Sequence, residues 1–167
     1  MALARDEVIS VLNDLIETSK DGVNGFRTAA EAVQSGAAKA VFSTRAQLIE
    51  RAMAELQAEV RRLGGDPEKR GSVAGTLHRG WMNLKSAITG KDDEAIIAEC
   101  ERGEEIAVKN FEDALEKDLP ADVRSIVERQ YRGTLQNLDK VRALRGAPGT
   151  GASARPRSAD REAPPPV

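Results

Sequence analysis

Along the first thirty residues, apolar and small positions recur at alternating spacings of four and three: Val8, Leu12, Leu15, Ser19, Gly22, Phe26, then Ala30 and Val33. A period near 3.5 is that of a helix burying one seam, and it predicts a first helix from Arg5 to about Gln34. Gly22 and Gly25 each cost about 1 kcal/mol in a helix interior, and Asp21-Gly22 in isolation reads as a turn. The seam keeps its phase on both sides of the glycines. One continuous helix is therefore expected, with the bare backbone at Gly22 open to a neighbouring helix and Ser35-Gly36 ending it.

The same rhythm returns further along the chain. Ala38, Phe42, Arg45, Ile49, Ala52, Leu56 and Leu63 mark a second helix from about Ala37 to Leu63. A loop rich in Gly, Pro and charge covers 64–71. Ser72 then caps a short helix ending near Thr89-Gly90, with a stripe of Val73, Leu77, Trp81, Leu84 and Ile88. Asp92 or Asp93 opens another long helix to about Lys117, on a seam of Ile97, Cys100, Glu104, Ala107, Phe111 and Ala114. After Leu119-Pro120 the last helix carries Val123, Val127, Gln130, Thr134, Leu138 and Val141, and frays beyond Leu144. From Gly146 the chain is Gly, Ala, Ser and Pro with scattered charges. It is too poor in apolar residues to order itself. The reading is a domain over 1–145 and a disordered tail over 146–167.

Four helices of some 25 to 30 residues would each be roughly 40 Å long at about 1.5 Å per residue. Short connections make antiparallel hairpins of the first pair and of the last pair. The middle connection is long enough to travel back along the bundle, so the second and third long helices can run parallel. An all-α four-helix bundle with one long crossover containing a short extra helix is the ferritin-like arrangement. An up-down bundle with a decorated loop is the simpler alternative.

Composition narrows the function. A net charge of −2 on 167 residues and a pI near 5.6 disfavour nucleic acid, which needs a basic surface. No apolar run approaches the roughly 18 residues of a membrane span, and the N-terminus has no signal-peptide core, so a cytoplasmic protein is expected. Cys100 is the single cysteine; on a core seam it reads as a small buried hydrophobe. Nothing resembles a phosphate-binding glycine loop or a Ser-His-Asp arrangement.

Two charges interrupt apolar seams. Arg45 lies roughly 12 Å into its helix and Glu104 roughly 18 Å into its own, an offset a long Arg side chain can bridge. A lone buried charge is very costly, so the two are expected to pair, within a buried polar layer of Arg45, Glu104, Gln130 and Thr134 that sets register. Glu104 is the one well-placed inward carboxylate and a weak metal candidate. Glu59 is weaker still, and Glu17 projects about 180° from its seam. The crossover is locally basic, with Lys69, Arg70, Arg79, Lys85 and Lys91 against Asp66 and Glu68. Leu77, His78, Arg79 and Trp81 there form a possible partner surface; the simpler reading lays the apolar stripe on the bundle flank.

Several runs carry a family resemblance: Leu12-Asn13-Asp14-Leu15-Ile16-Glu17, Asp21-Gly22, Leu63-Gly64-Gly65, Gly75-Thr76-Leu77-His78-Arg79-Gly80-Trp81 and Glu101-Arg102-Gly103-Glu104. Together they resemble a family of bacterial ferritin-like four-helix-bundle proteins of unknown function, over most of residues 6–145. The resemblance supports the crossover topology and implies, by analogy alone, a stress-response setting; it supplies no reaction.

A di-iron centre on such a bundle uses inward Glu residues and Glu-x-x-His pairs. This chain has no Glu-x-x-His, and its one histidine, His78, follows Gly75 by three. The expectation is therefore a non-enzymatic, cytoplasmic bundle without cofactor. It would act as a homo-oligomer or through a protein partner, and not on nucleic acid or a membrane. The alternative is a metal-binding or redox protein that holds iron or another divalent metal in a degenerate carboxylate site.

Overall fold

The computed structural model describes residues 3–69 and 81–145. Among these residues there are five helices: α1 (Arg5–Ala32), α2 (Gly36–Arg62), α3 (Leu84–Thr89), α4 (Asp93–Leu115) and α5 (Ala121–Arg145). There is no strand among the described residues. The start of the expected crossover helix, the surface residues Leu77, His78 and Arg79, and the tail over 146–167 lie outside them.

The helix ends follow local chemistry. The Glu7 carboxylate accepts from the Ala4 amide at 3.2 Å at the start of α1. Ser35, expected to close α1, instead caps α2, its hydroxyl accepting from the Ala38 amide at 3.3 Å. Asp92 caps α4 through the Glu94 amide at 3.0 Å. Gly64 leaves α2 at a φ of +83°, the left-handed conformation that glycine adopts without penalty. α1 runs unbroken through Gly22 and Gly25.

Cross-helix bonds give the topology. Gln34 and Ser35 at the end of α1 donate their amides to Asp93 at the start of α4, each at 2.8 Å. Further back on α1, Thr18 accepts from Asn110 near the end of α4, so these helices are antiparallel. Arg62 at the end of α2 reaches Asp122 at the start of α5 at 2.9 Å, while Arg45 reaches back to Thr134. α2 and α5 are thus antiparallel as well. With Arg45 level with Glu104 and Leu56 packed in one cluster with Phe111, α2 runs parallel to α4. That is the crossover topology of a ferritin-like bundle.

The core divides in two along the bundle axis. One cluster, around Phe26, Phe42, Ile49, Ile97, Cys100 and Val141, fills the α1–α2 turn end. The other, around Leu12, Leu15, Ile16, Leu56, Phe111 and Val127, fills the opposite end. Glycines decide two close approaches. A Cβ on Gly22 would stand 3.0 Å from the Ile49 side chain, so α2 does come in against this bare backbone. Trp81, just before α3, lays its indole on Gly25 of α1 and Gly103 of α4, where a Cβ would come within 2.4 Å of the ring in both cases. Its edge meets Phe26, with centroids 5.1 Å apart. The apolar stripe of the crossover, where described, therefore covers the bundle flank.

Arg145 and Arg142 of α5 clamp Glu101 of α4 at 2.7 and 3.2 Å. The bond from Arg145, opposed by burial and reinforced by Arg142, holds the Glu101 carboxyl below its ordinary range.

Two predictions follow from this packing. Gly103→Ala should cost about 1–3 kcal/mol through overpacking against the indole. Gly133→Ala, where an added Cβ meets nothing within 4 Å, should stabilise by about 0.5–1 kcal/mol; urea unfolding of both variants reads the opposite signs. Because the folded Glu101 pKa lies below its unfolded value, its contribution is present above the unfolded pKa and lost as pH falls through the folded one. The stability difference between the parent and Arg145→Gln should be flat from about pH 7 to 5 and shrink toward about pH 3. A difference unchanged over that whole range would exclude the linkage.

Candidate functional site

Between the two apolar clusters lies a polar level. Glu104 on α4 is 1% exposed. Arg45 on α2 grips it sideways, Nε to Oε2 at 3.1 Å and Nη2 to Oε1 at 2.8 Å. The same Nη2 donates to Thr134 Oγ1 of α5 at 3.2 Å, and the Thr134 hydroxyl donates in turn to the Gln130 carbonyl at 2.9 Å. Asn137 Nδ2, one turn along α5, donates to Glu104 Oε2 at 2.7 Å. Both carboxylate oxygens are therefore met by donors, and the guanidinium charge balances the carboxylate where water cannot.

Three of the four residues expected in the layer meet here: Arg45, Glu104 and Thr134. Gln130 does not join them. It stands one turn away and turns to α2, where its Nε2 donates to the Ala52 carbonyl at 3.0 Å and to Glu55 Oε1 at 2.9 Å. Burial raises the Glu55 pKa, but bonds from Arg129 and Gln130 outweigh that and lower it. Asn137 takes the place that sequence reasoning assigned to Gln130. Its spacing of three from Thr134 and seven from Gln130 puts it on the same face, a signal masked by the neighbouring seam residue Leu138.

The other candidates are accounted for elsewhere. Glu59 is buried but held by Arg62, whose Nε lies 3.0 Å from it, so it does not face the bundle centre as a free carboxylate. Glu17, expected to point away from the seam, is half-buried beside Lys20 at 3.5 Å. Cys100 is fully buried; burial pushes its thiol well above the ordinary range, with Glu104 and Glu99 adding to the effect. Trp81 packs inward as described above.

A cavity of about 360 Å³ occupies this level. Its inner wall includes Phe26, Ile49, Trp81 and Phe111 beside the Arg45–Glu104 pair. It exists because Ala52, Ala107 and Gly133 present little or no side chain at the middle of their helices. The lining residues that are exposed, among them Leu48, Arg51, Arg129 and Lys140, all belong to α2 and α5. The cavity therefore opens along the seam between those two helices.

The arrangement defines a ferritin-like helical bundle whose centre holds an ion pair. Residues 7–117 match the family described as a domain of unknown function, DUF2383, and the chain belongs to that family. In structure it is similar to a two-domain protein from Anabaena variabilis ATCC 29413 containing DJ-1/ThiJ/PfpI-like and ferritin-like domains. The TM-score is 0.71 at 14% identity, over 91% of this chain and 42% of that one. At that identity the likeness shows the fold alone, and the chain spans less than half of that protein's length. No curated protein matches the sequence.

Ferritin-like bundles can carry a di-metal centre of inward carboxylates and histidines. The donor set here does not fit one. Among the described residues no three His, Cys, Asp or Glu side chains group closely enough to hold an ion. The one carboxylate at the centre has a guanidinium 2.8 Å away, in the position a cation would need.

The pair can be tested by a double-mutant cycle. Arg45→Met alone strands the Glu104 charge and should cost about 3–5 kcal/mol. Combined with Glu104→Leu it should recover most of that loss. A single Arg45→Met variant as stable as the parent in urea would show that the pairing contributes nothing.

Proposed function

We propose that the protein acts by binding and not by catalysis, as a ferritin-like frame that self-associates or takes a protein partner. The observation that supports this reading is the Arg45–Glu104 pair: the central carboxylate is committed to two guanidinium nitrogens and to the Asn137 amide. Among the described residues, the one carboxylate at the bundle centre is thereby engaged by donors that compete with a metal or a transferable proton. A cytoplasmic location and a role in stress response belong to the same reading, by analogy with ferritin-like bacterial families. No helix among the described residues is long and apolar enough to cross a membrane.

The test is metal analysis of protein purified without chelators and incubated with ferrous iron, beside Glu104→Ala, with sedimentation velocity on the same samples. The expected result is iron at background in both proteins and assembly that grows with concentration. Stoichiometric iron in the parent, lost in the variant, would replace this reading with a metal site in the bundle.

A further inference from the structure

The cavity walls hold charges of both signs, and the acidic ones are all engaged. Glu104 is met by Arg45 and Asn137, Glu55 by Arg129 and Gln130, and Asp21 has a partner as well. The cations are not exhausted. Arg45 donates through Nε and Nη2, and its Nη1 is neither hydrogen-bonded nor sealed from probes among the described residues. The residue is 8% exposed and lines the cavity, so the surface left on its guanidinium is open to whatever the cavity holds. At the mouth, Arg51 of α2 and Lys140 of α5 make no hydrogen bond or ion pair among the described residues.

Position and charge restrict the ligand. Arg51 follows Arg45 on α2, and Lys140 follows Thr134 on α5, by about 9 Å of helix in each case. Because α2 and α5 are antiparallel and Arg45 touches Thr134, the two mouth cations flank the level of Arg45 from opposite sides. Arg45, Arg51, Arg129 and Lys140 against Asp21, Glu55 and Glu104 leave the walls at +1, in a chain whose net charge is −2. One negative charge balances that excess, whereas a dianion would set a surplus beside Glu104. Phe26, Ile49, Trp81 and Phe111 supply an apolar wall for the rest of the molecule. A cavity of about 150 Å³ takes up benzene; at about 360 Å³ this one has room for two fused rings. Sites that bind small molecules combine such walls with a few placed polar groups.

We propose that the cavity between α2 and α5 binds a small aromatic monocarboxylate of one or two rings, its carboxylate accepting from Arg45 Nη1 and drawing the Arg51 and Lys140 side chains over it from the mouth. The rings lie against Phe26, Ile49, Trp81 and Phe111, in the space left by Ala52, Ala107 and Gly133. Glu104 holds the guanidinium by its other edge, so the donor is fixed in place before the ligand arrives. This site does not depend on the self-association proposed above, and it fails or stands separately from it.

The experiment is calorimetric titration of the full chain with 2-naphthoate and with 2-naphthamide, a neutral probe of the same shape, with chelator present so that metal plays no part. The parent is expected to bind the carboxylate about tenfold more tightly than the amide. Arg51→Gln with Lys140→Gln, which breaks no bond among the described residues, should bind the two alike. Arg45→Met with Glu104→Leu leaves the net charge of the walls unchanged and removes the Nη1 donor; it should bind the carboxylate about tenfold more weakly than the parent. Gly133→Leu, built into open space, should lose both probes, with circular dichroism showing the helices intact in every variant. Equal binding of the two probes by the parent, or a preference retained without Arg51 and Lys140, would overturn the assignment of an anion. Full affinity without Arg45 and Glu104 would overturn the role of Nη1. No heat with either probe, or binding that survives Gly133→Leu, would overturn the site itself.

Discussion

A carboxylate sealed inside a helical bundle sets conditions on everything around it. Glu104 needs a cation, and the cation must come from a side chain long enough to cross from a neighbouring helix and stiff enough to meet both oxygens. Arg45 fulfils this from α2, parallel to α4, and α5 completes the shell with Thr134 and Asn137. Sliding any of these helices by one residue would rotate its contribution by about 100°. The apolar seams alone would tolerate such slips far better, since one aliphatic side chain can replace another in a core. The polar level also separates the two apolar clusters, and the cavity sits at that interruption.

How far the fold was readable depends on the kind of signal. The long helices were legible because their seams persist over many turns, and α1 could be followed through two glycines because the seam did not change phase. Arg45 and Glu104 were legible as interruptions of otherwise apolar seams. Thr134 was reachable from the antiparallel last hairpin. Gln130 shares that face, but one turn of helix shifts it to the level of Ala52 and Glu55, and a wheel contains no information on level. Asn137 was hidden beside Leu138, which fits the seam equally well. The roles of Gly25 and Gly103 could not be read at all, because each is defined by an indole from another part of the chain.

The division of the site along the sequence is informative about the family. The matched residues, 7–117, contain both members of the ion pair but end before α5. Thr134 and Asn137, which finish the polar level, and Gln130, which lines the cavity one turn away, all lie beyond that boundary. The part of the chain outside the family match therefore shapes both the chemistry of the centre and its opening to solvent, while α1, α2 and α4 provide the frame.

The bonds from Gln34 and Ser35 to Asp93 have a consequence for how the bundle comes together. The reversal between α1 and α2 exposes two backbone amides that neither helix can satisfy, and the carboxylate that receives them opens α4. The first hairpin is thus unfinished by itself: its bend is closed by a residue nearly sixty positions downstream. Nascent α1 and α2 leaving the ribosome would present an open bend until the start of α4 emerges, so the hairpin cannot be closed before Asp93 has been made.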